Sequence, residues 1–243
     1  MMWEWLAHPI DTGRAHEVGL AVSWHGRAMF IAWAGLAPLA ILVARFLKVL
    51  PWQDWPRELD NQFWWRSHWI GQGMVFVLSI LGLVLILSHQ GSGAGLHGTL
   101  GYLVIGGALL QILLGLLRGT KGGPTALAPD GSPRGDHYDM TPRRRIFEAV
   151  HKSLGYLVLI TAAATVLHGM WLANAPRWMW GCTVLLWLAF AALFVWLQRR
   201  GWAVDTYHAI WGPDPMHPGN RPAKDRTGGQ NVRSDRGNRL RGH

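Results

Sequence analysis

The feature of this sequence that most restricts its fold is a series of five apolar blocks. A helix needs about 20 apolar residues to cross the hydrocarbon core of a bilayer. Because a backbone in lipid must satisfy its own hydrogen bonds, blocks of this length are predicted to be helices. Five of them in one chain argue against the alternative, which is a soluble protein with buried helices. The blocks lie at about residues 25–47, 68–88, 97–117, 149–171 and 178–198.

Composition and the placement of tryptophan agree with a membrane protein. Half of the 243 residues are apolar and 15% are charged, whereas soluble domains usually carry about 25% charged residues. Many of the 16 tryptophans stand at the ends of the blocks, where an aromatic belt meets the lipid–water interface. We therefore predict an all-α integral membrane protein with membrane lipid as a partner. The tryptophans at block ends are Trp24, Trp64, Trp65, Trp69, Trp171, Trp178 and Trp180.

Basic residues are distributed unevenly between the two faces of the predicted bundle. On the face of residues 1–24, which we call outer, the loops contain only Arg14 and Arg177. The opposite, inner face carries the basic loops after the first and third blocks, and nine Lys and Arg residues between Arg199 and Arg241. The positive-inside rule then predicts an outside N-terminus and a cytoplasmic C-terminus, in a plasma or inner membrane. This asymmetry explains the net charge of +9 without a nucleic-acid partner.

The blocks divide the chain into three segments. Residues 1–24 are predicted to be extracytoplasmic, and they lack the basic start and early apolar run of a cleaved signal peptide. Residues 25–198 are predicted to form a four-helix bundle and a fifth transmembrane helix. Residues 199–243 are basic and poor in apolar residues, so we expect a largely disordered cytoplasmic tail. The single cysteine, Cys182, allows no internal disulfide.

Four histidines begin four of the blocks. His97 and His151 open the stretches HGTLGYLV and HKSLGYLV, which are identical at six of eight positions. In an up-down-up-down bundle, His25 and His97 come near the outer face, and His68 and His151 near the inner face. Each pair comes from helices that are diagonal across the core. A diagonal histidine pair can hold haem b through its iron without covalent attachment, so two pairs predict two haem b groups.

Two further histidines and two cations are additional candidates for contact with the predicted haem groups. His89 and His168 also lie toward the outer face, about 300° and 260° round their helices from His68 and His151, at 3.6 residues per turn. The rotation directs His168 elsewhere, but spacing excludes neither residue as an outer-face ligand or substrate residue. Arg27 and Lys152 are candidates for haem propionates, and interfacial snorkelling is the alternative for both. The histidines outside the blocks are expected to be solvated: His8, His16, His137, His208, His217 and His243.

Three of the blocks resemble the cytochrome b561 family, in the form found in DOMON-linked and related domains. The matching stretches are WHGRAMFIAWAGLAPLAILVARF, LHGTLGYLVIGGALLQILLGLLR and VHKSLGYLVLITAAATVLHGM. The second block matches only through His68, and the resemblance covers about residues 23–198. It implies two b haems with the pairing His25–His97 and His68–His151, and electron transfer across the membrane.

The resemblance leaves the reaction partners open. Some family members take electrons from cytosolic ascorbate and reduce monodehydroascorbate or ferric iron outside. Basic residues near the inner haem would then bind the donor, with Arg45, Lys48 and residues 143–145 as candidates, although the positive-inside signal is the favoured explanation of these residues. The chain shows no DOMON domain before the first block, and it has five spans where the ascorbate-dependent forms have six.

We therefore predict a diheme b-type cytochrome, a transmembrane electron-transfer oxidoreductase that links a reductant at one face to an acceptor at the other. One alternative is a b-type cytochrome subunit that oxidises quinol for a partner enzyme. Another is a haem-free, histidine-bearing metal transporter, which is disfavoured because transporters place their ligands near the midplane at broken helices. A homodimer is also compatible with the sequence.

Overall fold

The computed structural model describes residues 1–14, 16–89, 95–123 and 125–220, and its regular structure there is helical. A π-helical segment, Phe30–Leu36, joins the second and third α-helices, and a short 3₁₀ helix covers Pro218–Asn220. The α-helices are α1 (Met2–Ala7), α2 (Leu20–Met29), α3 (Ala37–Phe46), α4 (Phe63–Leu87), α5 (Gly95–Leu116), α6 (Pro142–Leu172), α7 (Arg177–Arg199) and α8 (Thr206–Trp211).

Five helical segments are long and apolar enough to cross a membrane. The first runs through α2, the π-helical segment and α3, and the others are α4, α5, α6 and α7. Large apolar side chains on the helix sides that point away from the bundle are exposed. The exposed fraction is 57% for Val77 and 68% for Leu185. Such surfaces suit a lipid environment, and the five apolar helices confirm the prediction of an all-α integral membrane protein.

The start of α6 shows where apolar patterning misplaces a helix boundary. The predicted block begins at residue 149, but α6 begins about two turns earlier, at Pro142. Thr141 caps this end, because its side-chain oxygen accepts a hydrogen bond from the Arg144 backbone N–H at 3.3 Å. Proline at the first helical position is favourable, since its missing N–H needs no partner there. This first turn contains three arginines, so a search for apolar residues does not include it in the helix.

The bundle core lies between two closely packed helix pairs. In one pair α5 runs along α6, and in the other α4 runs along α2 and α3. Gly107 allows the first approach, because a Cβ atom there would lie 2.5 Å from Cγ2 of Val158. The buried residues at the centre are Ala32, Trp33, Ala37, Val75, Val104, Val158 and Ala162.

The first span is not the continuous α-helix that the sequence predicts. Residues 30–36 form a wider π-helical stretch, with Ala32, Trp33 and Ala34 buried. Pro38 stands at the start of α3, and a proline cannot donate to the carbonyl four residues earlier and clashes with it. The wider turn accommodates this defect. It also places the Trp33 Nε1–H 2.9 Å from the Ser79 Oγ, to which it donates.

At the inner face, the chain folds into a small layer that we call the inner cap, residues 118–123, 125–141 and 201–220. Its core consists of Tyr207, Ile210 and Trp211, packed against Tyr138 and Met140. Helix α8 belongs to this layer, and the Asp205 side chain accepts the Tyr207 backbone N–H at 2.8 Å as its cap. The expectation of a largely disordered tail from residue 199 is therefore corrected for residues 201–220. Residues 221–243 lie outside the described residues.

The N-terminal segment is fastened to the outer end of the bundle. Asn174, in the turn between α6 and α7, is only 2% exposed. Its amide donates to the carbonyls of Asp11 and Arg14 at 2.9 and 2.7 Å and accepts from the Asp11 backbone N–H at 3.1 Å. An isolated bridge between Pro9 and Pro176 adds a further contact. Much of the predicted extracytoplasmic segment is thus folded onto the outer face.

Candidate functional site

At the outer end of the bundle, the structure brings His25 of α2 and His97 of α5 together. Their ring centres lie 6.1 Å apart with 79° between the ring planes. The Nδ1 of His25 is 2.9 Å from the Gly82 carbonyl oxygen, to which it donates. Since that bond places the proton on Nδ1, the Nε2 lone pair is free for a metal ion. Gly169 makes room for His97, because a Cβ atom there would lie 2.8 Å from Cε1 of its ring.

At the inner end, His68 of α4 and His151 of α6 form a second pair of similar geometry. Their ring centres are 6.3 Å apart and the ring planes are at 77°. The Nδ1 of His68 donates to the Ala40 carbonyl at 3.3 Å. Phe147 stacks on His151 at 5.1 Å and an angle of 27°. The sequence-based pairing of the four histidines and the observed proximity therefore coincide.

The spacing of both pairs fits two axial ligands on one metal ion. Imidazole nitrogens bind metals at about 2.0–2.1 Å, which sets the two ring centres about 6 Å apart. In the part of the chain that the structure describes, no group of three or more His, Cys, Asp or Glu side chains is placed to hold a metal ion. A metal bound by only two imidazoles must bring its other ligands with it, and haem iron does so. The residues present thus fit haem b.

The surroundings of the outer pair also suit a flat, apolar macrocycle. A cavity beside His25 and His97 is lined mainly by apolar residues, among them Met29, Trp33 and Val104. Gly101 lines the same cavity, and a Cβ atom there would project into open space. A larger residue at this position would fill part of the volume that a macrocycle needs.

Arg27 and Lys152 have contacts that are typical of interfacial residues. The Arg27 guanidinium lies 5.1 Å from the centre of the Trp24 ring, and both side chains are exposed. Lys152 pairs with Glu148 and is 61% exposed. These contacts agree with the snorkelling alternative, and a role toward haem propionates stays a prediction.

Several cations lie at the inner end of the bundle, and Arg144 among them is close to His151. Burial lowers the pKa of Lys48 to about 8, and its ammonium group donates to the Val204 carbonyl at 2.9 Å. Burial also lowers the pKa of Arg118, whose guanidinium lies 5.1 Å from the centre of the Trp65 ring. The Arg144 guanidinium lies 5.2 Å from the centre of the Phe147 ring. The Arg144 Nε is buried and has no hydrogen-bond partner among the described residues. Arg144 thus places a positive charge near His151, and the carboxylates of Glu148 and Asp205 lie near both Arg144 and Lys48.

The structure places His168, His89 and His137 differently from the sequence-based expectations. His168 is close to the outer pair, with its ring centre 6.0 Å from that of His97. His89 is exposed at the end of α4. His137 was expected to be solvated, but it is only 4% exposed and packs against Tyr207 in the inner cap. Helical rotation relates His168 to His151, which lies at the inner end of the same helix. The residue that His168 contacts is His97, on α5 at the outer end.

The fold and these sites define a class of protein. A multi-pass helical bundle with a histidine pair near each face has the architecture of a membrane b-type cytochrome, which binds haem b and transfers electrons. Residues 24–134 match the family of eukaryotic cytochrome b561. These residues contain the first three blocks, and over them the predicted resemblance to the cytochrome b561 family is confirmed.

Three curated relatives carry the name ferric-chelate reductase 1. The human protein is 30% identical over 167 residues, which are 67% of this chain and 24% of the relative. The protein from Bos taurus is 29% identical over 166 residues, with the same coverage. The one from Mus musculus is 30% identical over 151 residues, 60% of this chain and 22% of the relative. The chain thus spans about a quarter of their length, and no solved structure matches it significantly.

Proposed function

We propose that the chain binds two haem b groups and transfers electrons between them across the membrane. One group would lie between His25 and His97 near the outer face, and the other between His68 and His151 near the inner face. The observation that supports this proposal is the pair of ring separations, 6.1 and 6.3 Å, at opposite ends of one bundle. When bound, haem supplies a one-electron ferric–ferrous couple.

The protein's own residues hold the two sites in fixed positions. The carbonyls of Gly82 and Ala40 accept from the Nδ1 of His25 and of His68, which fixes both imidazoles in the tautomer that binds metal. The apolar core that contains Trp33 and Val75 is buried from solvent. This arrangement suits an electron conduit, because no proton needs to be moved at either metal.

We further propose that electrons enter at the inner face, which would be cytoplasmic, from an anionic reductant. Arg144 near His151, with Lys48 and Arg118 at the same end of the bundle, supports an anionic donor. The named activity of the relatives supports a ferric chelate as the acceptor at the outer face. A quinol-oxidising subunit has the same bundle and haem sites, so only the choice of donor separates the two functions.

The experiment is electron transfer across the membrane of proteoliposomes. Protein is inserted in one orientation, ascorbate is trapped on the side of the inner face, and a membrane-impermeant ferric chelate is added outside. We expect reduction of the chelate by the intact protein, and at most a small residual rate with His68→Ala or His97→Ala. Exposed His89→Ala is the matched control and should retain haem. Haem-loaded protein that accepts electrons from a quinol but not from ascorbate would contradict the proposed donor.

A further inference from the structure

A third histidine, His168, lies against the outer pair and has no role in the mechanism above. Its ring centre is 6.0 Å from that of His97, and the planes are inclined at 51°. His168 is on α6, next to Gly169, which makes room for His97. Two consecutive residues of α6 thus lie against one candidate ligand.

The hydrogen bonds of the four paired histidines differ in a systematic way. In each pair, one Nδ1 has a backbone carbonyl as acceptor, namely Gly82 for His25 and Ala40 for His68. The Nδ1 of His97 is buried and has no hydrogen bond of normal geometry within the described ranges, although the Thr165 backbone carbonyl lies near its ring. The Nδ1 of His168 is likewise buried, with no hydrogen-bond partner in those ranges. A buried polar atom without a partner is rare in native proteins and calls for an explanation.

The two unpartnered nitrogens are chemically complementary. If His97 binds iron through Nε2, its Nδ1 must carry the proton and needs an acceptor. A neutral imidazole protonated on Nε2 offers such an acceptor, the Nδ1 lone pair. The rings would have to approach by about 1 Å for a direct N–H···N bond of normal length.

We propose that His168 is a positioning residue for the outer haem, whose Nδ1 accepts a hydrogen bond from the Nδ1–H of His97. The proposal rests on the proposed function, because it requires His97 to be an iron ligand. The bond would fix the orientation of the His97 ring and make this imidazole a stronger electron donor. Stronger donation favours ferric iron, so His168 lowers the midpoint potential of the outer haem.

The geometry favours this role over direct ligation by His168. The cavity beside His25 and His97 is lined on the α6 side by Ala162, Thr165 and Val166. His168 lies one turn beyond Thr165 toward the outer face. It therefore lies beside the His97 ring at the rim of the site, while His25 approaches His97 from α2.

The test compares His168→Phe, His168→Gln and the control His89→Phe in purified protein. Phenylalanine retains a ring but removes the acceptor, whereas glutamine offers an amide oxygen in its place. The haem that is lost in His97→Ala identifies the outer haem, whose midpoint potential and low-spin electron paramagnetic resonance signal are then measured. We expect full haem content in all three variants, a raised outer potential and an altered signal in His168→Phe, a return toward wild type in His168→Gln, and no change in His89→Phe.

Three results would overturn the proposal. An unchanged outer potential and signal in His168→Phe would show that His97 donates no hydrogen bond to this residue. Loss of the outer haem in both His168 variants, together with its retention in His25→Ala, would make His168 a ligand instead. If His168→Phe fails to fold, an outer potential in His168→Gln equal to that of His168→Leu would equally contradict it. Absence of haem from the wild-type protein is a different outcome and would refute the proposed function itself.

Discussion

At the scale of single residues, the candidate sites depend on the positions of glycines as much as on the positions of histidines. Gly82 offers its carbonyl to His25, and a Cβ atom at this glycine would lie 3.0 Å from the Cε of Met29 and 3.6 Å from the Nδ1 of His25. Gly169 and Gly101 likewise leave space beside the outer pair. The sequence shows glycines near each histidine, but it does not tell which of them contact a ring.

Gly169→Ala tests the importance of this space. Its Cβ atom would lie 2.8 Å from Cε1 of His97, closer than two carbon atoms approach without a shift. Overpacking of this kind costs about 1–3 kcal/mol, so we expect weaker haem binding at the outer site only. A haemochrome assay after dilution should show selective loss of one haem. Gly181→Ala, whose Cβ atom has no neighbour within 4 Å in the described structure, should retain both.

At the scale of the elements, the π-helical segment is the main departure from a regular bundle. It holds Trp33 at the centre of the core, where its indole donates to Ser79 and the Ser79 hydroxyl donates to the Val75 carbonyl at 2.7 Å. Hydrophobic periodicity does not predict this segment, because its residues are apolar whichever helical turn they adopt. Pro38 was the available signal, since proline inside a helical stretch disturbs the preceding turn.

Ser79→Ala should destabilise the bundle by about 1–3 kcal/mol, because the buried Trp33 N–H would lose its acceptor. Thermal unfolding of the detergent-solubilised protein measures the effect. Exposed Ser153 on α6 provides the control, since Ser153→Ala changes the same group on the lipid side. Equal melting temperatures for Ser79→Ala and Ser153→Ala would show that this hydrogen bond contributes little.

The inner cap should be sensitive to acid through His137. Burial, and then the nearby Arg144 guanidinium, lower the pKa of His137 from 6.5 to about 3. The folded cap therefore keeps His137 neutral, whereas the unfolded chain binds a proton below about pH 6.5. The cap is most stable above this pH and loses stability progressively as the pH falls toward 3.

Hydrogen exchange of the α8 amides at pH 7 and pH 5, corrected for intrinsic rates, measures this loss. In His137→Phe, which retains a ring against Tyr207, the difference between the two pH values should become smaller. The same pH dependence in both proteins would assign the acid sensitivity to another group.

At the scale of the whole molecule, the sequence predicts the class of fold and the depth of the four paired histidines. Block length and order set these properties, because each span reverses direction and returns the next histidine to the opposite face. The pairing could be predicted for the same reason. The position of His168 could not, since it depends on how α5 and α6 are rotated against each other. The inner cap was missed because its few apolar residues, such as Ile210 and Trp211, stand among polar and proline-rich stretches.

The most direct test of the central claim is a haem count in single and double histidine variants, from the pyridine haemochrome and the reduced-minus-oxidised spectrum of purified protein. We predict two b haems per chain in the wild type and in His89→Ala, and one in His25→Ala, His97→Ala, His68→Ala and His151→Ala. The double variant of His25 and His97 should still retain one haem, because both residues serve one site, whereas the double variant of His25 and His68 should retain none. A wild-type protein without haem despite adequate haem supply, or a His25 and His97 double variant that retains none, would contradict the account.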